Sequence, residues 1–237
     1  MNWSRFAFSV LGNAVGVRPE LGSEDAMARR MKDPAFREHQ KSHRFDPHIA
    51  PINEFVARLR KQDEGKWLPE VAPMHGGVDA LVLTLLRDPG PKTQGNRGSG
   101  FLCIENDDPT AERQFELFDE YGISPRLVLP WNAYPWYINR APRAVERDAG
   151  AVVLGELIDL MPRLRVVLLQ GNDASNVWRR LISGRPTLCD DRAIEIVHSI
   201  HPGRQALWTS DPLERQGRLD RQKSAFERIA EILGTTG

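Results

Sequence analysis

Apolar residues in this chain fall into two kinds of block, and their spacing predicts strands alternating with helices. Leu81–Leu86, Arg126–Pro130, Arg165–Gln170 and Ala193–Ile200 are short runs rich in Val, Leu and Ile. That length and composition suit strands buried on both faces. Elsewhere the apolar positions recur at helical spacing. Ile52, Phe55, Val56 and Leu59 mark a helix over Pro51–Lys61, and Phe115 and Phe118 share a face of one over Pro109–Tyr121. Val145, Val152, Leu157 and Leu160 are expected to face inward from Ala141–Leu160, and Leu213, Leu219, Phe226, Ile229 and Leu233 from Asp211–Leu233. Ser23–Arg44 reads as helical, with a capping signal in Ser23-Glu24-Asp25-Ala26 and a break at Asp33-Pro34. Asp173 is expected to cap a helix over Ala174–Ile182. Pro69–Gly77 reads as loop, and His75 within it carries little functional signal.

This alternation predicts an α/β fold, three layers (α/β/α) around a central, mainly parallel four-stranded sheet. One domain over 1–237 is expected, with 1–75 as a helical cover, 76–210 as the core and 211–237 as a closing helix.

Composition narrows the picture. A chain of 237 residues, 41% hydrophobic and 27% charged, has the make-up of a soluble globular protein. Lys+Arg and Asp+Glu balance at 32 each, so any nucleic-acid contact must come from a local basic face. Two cysteines, Cys103 and Cys189, exclude a four-thiolate zinc or iron–sulfur site and are expected as buried free thiols in a reducing, cytoplasmic setting. Arg5 followed by Phe6–Val17 has some character of a signal peptide, but Ser9, Gly12 and Asn13 interrupt it, so it reads as ordinary chain. No run approaches the length of a membrane span.

Candidate chemistry sits where strands run out. Arg87, Asp88, Pro89 and Gly90 follow the first strand, Asn132 the second, and His201 the last. In a parallel sheet those ends share one edge, so three residues distant in sequence can converge on one crevice. An amide such as Asn132 can pair with the edge of a nucleobase. Phe101, closing a loop that holds Gly95, Gly98 and Gly100, can stack on its face. His201 can donate to a base oxygen as charge develops there, and Asp88 can hold a water or stabilise an oxocarbenium-like sugar. His198 and His201 face opposite sides of a strand, which disfavours a shared metal ion.

These residues give the chain a resemblance to the uracil-DNA glycosylase superfamily, over about Gly76 to Ser210. The motif after the first strand is G-x-[DN]-P-[YG] in that superfamily and Leu86-Arg87-Asp88-Pro89-Gly90 here. Phe101 stands 13 residues after Asp88, at the family spacing of its stacking Phe. Gly95-Asn96-Arg97-Gly98 resembles a GNR run of some branches, Asn132 matches the base-reading Asn, and His201-Pro202-Gly203 matches H-P-S.

The resemblance implies an enzyme that flips uracil out of DNA, stacks it on Phe101 and reads it through Asn132. Hydrolysis of the N-glycosidic bond would then leave an abasic site and free uracil. Asp88 and His201 would be catalytic, and Arg87, Pro89 and Gly90 would help bind the base. DNA contacts would come from Lys92, Arg97, Arg204 and the apolar wedge Leu207. No metal or cofactor is implied; the expected setting is a cytoplasmic monomer, at the nucleoid if the source is bacterial.

Three departures bear on this. Leu86 replaces the motif Gly, and Gly90 stands where the strictest uracil enzymes carry a Tyr that blocks the thymine methyl. Gly203-Arg204-Gln205-Ala206-Leu207 replaces the usual run after H-P, so Leu207 or Arg204 would serve as the wedge. Relaxed base choice is one expectation; the alternative is a low-turnover binder of abasic sites or deaminated bases.

Overall fold

The structure, a computed structural model, describes residues 28–95 and 98–235. The capping signal at Ser23–Ala26, the N-terminal apolar stretch and Arg97 lie outside the described residues.

A single 3-10 turn at Arg30–Lys32 leads into α1 (Pro34–Ser42), and the expected break is a cap, with the Asp33 carboxylate accepting from the Ala35 N–H at 2.9 Å. Helix α2 (Ala50–Gln62) follows, then β1 (Glu70–Val71), β2 (Val82–Leu86) and β3 (Phe101–Leu102). The stretch Pro69–Gly77 is therefore not all loop: β1 pairs in parallel with β3, Glu70 against Phe101. Next come α3 (Pro109–Glu120), β4 (Val128–Asn132), α4 (Ala144–Asp159) and β5 (Val166–Gln170). The chain closes with α5 (Asn172–Gly184), α6 (Leu188–Arg192), β6 (Glu195–Ser199), α7 (Arg204–Leu207) and α8 (Pro212–Leu233).

The four long strands form one parallel sheet in the order β4-β2-β5-β6. Strands β2, β4 and β5 are buried along nearly their whole length, as their continuous apolar sequences require. Alternate residues serve opposite faces. Leu83, Leu85, Leu129, Trp131, Val167 and Leu169 pack with α2, α4 and α5. Val82, Val128, Val166, Leu168 and Val197 pack with α3 and α8, where Phe118 and Phe226 meet edge to face with centroids 4.9 Å apart. The expected three-layer α/β/α architecture with a parallel four-stranded sheet is the one observed. None of the helices among the described residues is long and apolar enough to cross a membrane.

Several expectations change. Strand β4 starts two residues later than its apolar run, because Ser124 caps a 3-10 turn over Pro125–Leu127. Val145 and Val152 are 66% and 65% exposed. They lie seven apart on one side of α4, while Gly150, Ala151, Leu154, Leu157 and Ile158 form the buried stripe. Leu213 is 84% exposed, on the first turn of α8. Asp173 does not cap α5. Gly171, at φ 97°, turns the chain straight from β5 into a helix that begins at Asn172, and Asp173 pairs instead with Arg147 at 2.9 Å. Both cysteines are free, Cys103 buried and Cys189 only half-buried.

Candidate active site at the carboxyl edge of the sheet

The carboxyl ends of β2, β4 and β5 open onto a cleft of about 600 Å³. Strand order reverses at β2, since β4 lies on one side of it and β5 on the other. An open α/β sheet forms its ligand crevice at such a point. The cleft is lined by Arg87, Asp88, Pro89 and Gly90 after β2, Asn132 at the end of β4, Gln170 at the end of β5, and His201 and Arg204 after β6. The three predicted strand-end residues do converge.

Asp88 is nearly fully buried and held from two sides. Arg87 Nε donates to Oδ1, and the Asn139 main-chain N–H donates to Oδ2 at 2.8 Å. Asn139 takes a left-handed conformation, φ 52°, to present that N–H. The next residue, Arg140, is tied to Glu146 on α4, as is Arg143, and these contacts hold the Glu146 carboxyl well below its ordinary pKa. The loop that grips the acid is thereby anchored to a helix.

Asn132 is buried, and its Oδ1 has no hydrogen-bond partner among the described residues. A buried amide oxygen without a partner costs free energy unless a ligand or water completes it. Its position is fixed by close packing behind it: a Cβ on Gly150 of α4 would stand 2.0 Å from the carbonyl oxygen of Ala133. Only glycine lets α4 approach that closely.

His201 accepts from the Gly203 main-chain N–H at Nδ1, 2.9 Å away. Burial, and secondarily the charge of Arg87, push its pKa down to about 4. The ring is neutral at pH 7, and with Nδ1 accepting, the proton sits on Nε2, leaving that nitrogen as a donor.

Other predicted residues stand elsewhere. Phe101 does not line the cleft; it packs with Met31, Ala72 and Cys103 in a small separate cluster, because β3 pairs with β1 and carries that side chain away. Leu102 and Trp131 line the cleft instead. Lys92 is off the cleft and pairs with Asp107 at 3.5 Å. Arg204 is exposed on the rim without a hydrogen bond or ion pair among the described residues. Leu207 is half-buried and does not line the cleft. His198 does not line the cleft with His201; it stands by Ser175 at 3.4 Å.

Three features escaped the sequence reading. Gln170 ends β5 and faces the cleft; a strand-final Gln before a Gly reads as a boundary, although the rule that drew attention to Asn132 applies to it equally. Asp108 lines the cleft while capping α3 through the Thr110 and Ala111 N–H groups, and burial raises its pKa. Trp208 is 75% exposed just past α7. Its carbonyl and that of Ala206 accept from Arg218 of α8 at 2.8 and 3.0 Å, which fixes the segment that presents it.

Together the fold and site define an α/β protein with an acid, an amide and a neutral histidine around a concave site at a sheet edge. No protein-family model matches the chain, and no curated protein matches it either.

Proposed function

We propose that this protein is a DNA glycosylase that flips out uracil, and related deaminated bases, and hydrolyses the N-glycosidic bond to leave an abasic site. The observation that carries this reading is the convergence of Asp88, Asn132 and His201 on one cleft, with Nε2–H of His201 left as a donor. In the proposed reaction the glycosidic bond breaks with its electron pair going to the base. His201 Nε2–H stabilises the oxygen on which that charge collects. Asp88 positions the attacking water and stabilises the cationic sugar; the oxygen of water bonds to the anomeric carbon, and its proton leaves through solvent or the base. Asn132 reads the base edge, and Arg204 contacts backbone phosphate. No step calls for a metal or cofactor.

A second reading, a binder of abasic or deaminated sites with little turnover, is favoured by one observation. Both oxygens of Asp88 are already engaged, by Arg87 and by the Asn139 N–H. The deciding experiment is excision from oligonucleotides carrying U, T, hypoxanthine or xanthine at one position, run beside a gel shift on abasic DNA. Excision at U supports the enzyme; a shift without excision supports the binder; the absence of both excision and shift removes both readings.

A further inference from the structure

The geometry points to Gln170 as a second base-reading residue, donating a hydrogen bond from Nε2 to an acceptor on the base that Asn132 also holds. This deepens the glycosylase reading and rests on it.

The register of the sheet sets up the pair. Asn132 lies beside Leu86, and Gln170 stands one residue past the Leu85–Leu169 pairing, so the three form one row across β4, β2 and β5. Neighbours in such a row share a face. That row tops the α3 and α8 side of the sheet, and all three residues line the cleft.

Gln170 is held, buried, by one end only. Gln114 of α3 donates from Nε2 to Gln170 Oε1 at 2.6 Å, while Nε2 of Gln170 has no partner among the described residues. Asn132 shows the complementary vacancy, an unpartnered Oδ1. One cleft therefore carries a buried acceptor and a buried donor, from residues on the same row whose main chains stand two strand spacings, roughly 9.6 Å, apart. Buried polar groups of this kind are completed by a ligand or by water. A ring with an N–H toward Asn132 and a carbonyl oxygen toward Gln170 completes both, and uracil and its deaminated relatives carry these groups. Gln114 acts as a positioning residue: by taking up Oε1, it turns the donating end of Gln170 toward the base.

The test follows the side-chain amide NMR signals of the whole protein during titration with free uracil, assigned through Gln170→Leu and Asn132→Leu. The expected result is that the signals of Asn132 and Gln170 both shift, and that Gln170→Leu weakens uracil binding about 10- to 100-fold. Affinity for an abasic oligonucleotide should stay unchanged in that variant, and Gln114→Leu should weaken uracil binding in the same selective way. A shift at Asn132 without one at Gln170, or unweakened uracil binding in folded Gln170→Leu, overturns this inference and leaves the glycosylase reading intact. No shift at either amide removes uracil as the occupant and overturns both.

Discussion

The main-chain N–H of Gly203 donates to Nδ1 of His201 at 2.9 Å, and that bond decides which nitrogen of the neutral ring carries the proton. It comes from the residue that replaces a Ser expected from the resemblance, so it depends on backbone alone. A Cβ at Gly203 would stand 2.9 Å from the same Nδ1.

The first prediction concerns pH. The pKa of His201 falls from 6.5 to about 4 on folding, so between those values the unfolded chain binds more protons than the folded one. Its contribution to stability is therefore level above about 6.5 and declines as pH falls toward 4, by about 2 kcal/mol at pH 5. His75, buried and pushed down to about 3, acts in the same direction. Urea unfolding at pH 7 and 5 should show the loss, and His201→Gln should lessen it. An unchanged pH dependence in that variant would mean that His201 is not buried neutral.

Replacing Asp88 by Asn keeps the shape and removes the charge. Single-turnover excision of uracil should fall by about 100-fold or more, with affinity for abasic DNA retained. Full activity in Asp88→Asn would move the catalytic weight to His201 and Asn132.

Gly90 lines the cleft with an ordinary extended φ of −75°, and a Cβ placed there meets nothing within 4 Å. A side chain is thus tolerated. Gly90→Tyr should fold with stability within about 0.5 kcal/mol of wild type. It should also lower excision of thymine, or any base with a bulky substituent, relative to uracil. Equal loss on all bases would mean that the ring blocks the cleft rather than selects within it.

Arg204 and Lys92 should differ in their DNA contributions. Arg204 stands exposed on the cleft rim, whereas Lys92 is off it and paired with Asp107. Arg204→Glu should reduce the slope of log K against log salt by about 1 or more, and Lys92→Glu by less. Equal slopes in both variants would contradict the assignment.

Gly150→Ala tests the support behind Asn132. The added Cβ would collide with the Ala133 carbonyl oxygen, so helix or strand end must shift. A cost of about 1–3 kcal/mol is expected, together with weaker uracil binding. Stability loss alone would show that Asn132 is held by other contacts.

Much of this was legible in the sequence, for a physical reason. Parallel strands buried on both faces write themselves as unbroken apolar runs, and the residues that follow each run mark the carboxyl edge of the sheet; the meeting of Asp88, Asn132 and His201 at one cleft followed from that. Phe101 did not, because two-residue strands such as β1 and β3 leave no periodic signature, yet their pairing decides where its ring goes. Val145 and Val152 misled because α4 carries apolar residues on more than one side, and spacing alone does not say which stripe meets the sheet. Gln170 was hidden by its place at a strand boundary. The strand carries the alternation of faces, but only the register across neighbours shows that Gln170 shares a row with Asn132.

The Asp88 carboxylate is steered from a distance. Its clamp is the Asn139 N–H, carried on a loop whose far end is fastened by Arg140 and Arg143 to Glu146. The acid and the hand that aims it therefore belong to different crossovers of the fold, separated by 51 positions in the chain. Substitutions in the loop between Ala133 and Arg143 should therefore turn the carboxylate while Asp88 itself stays unchanged.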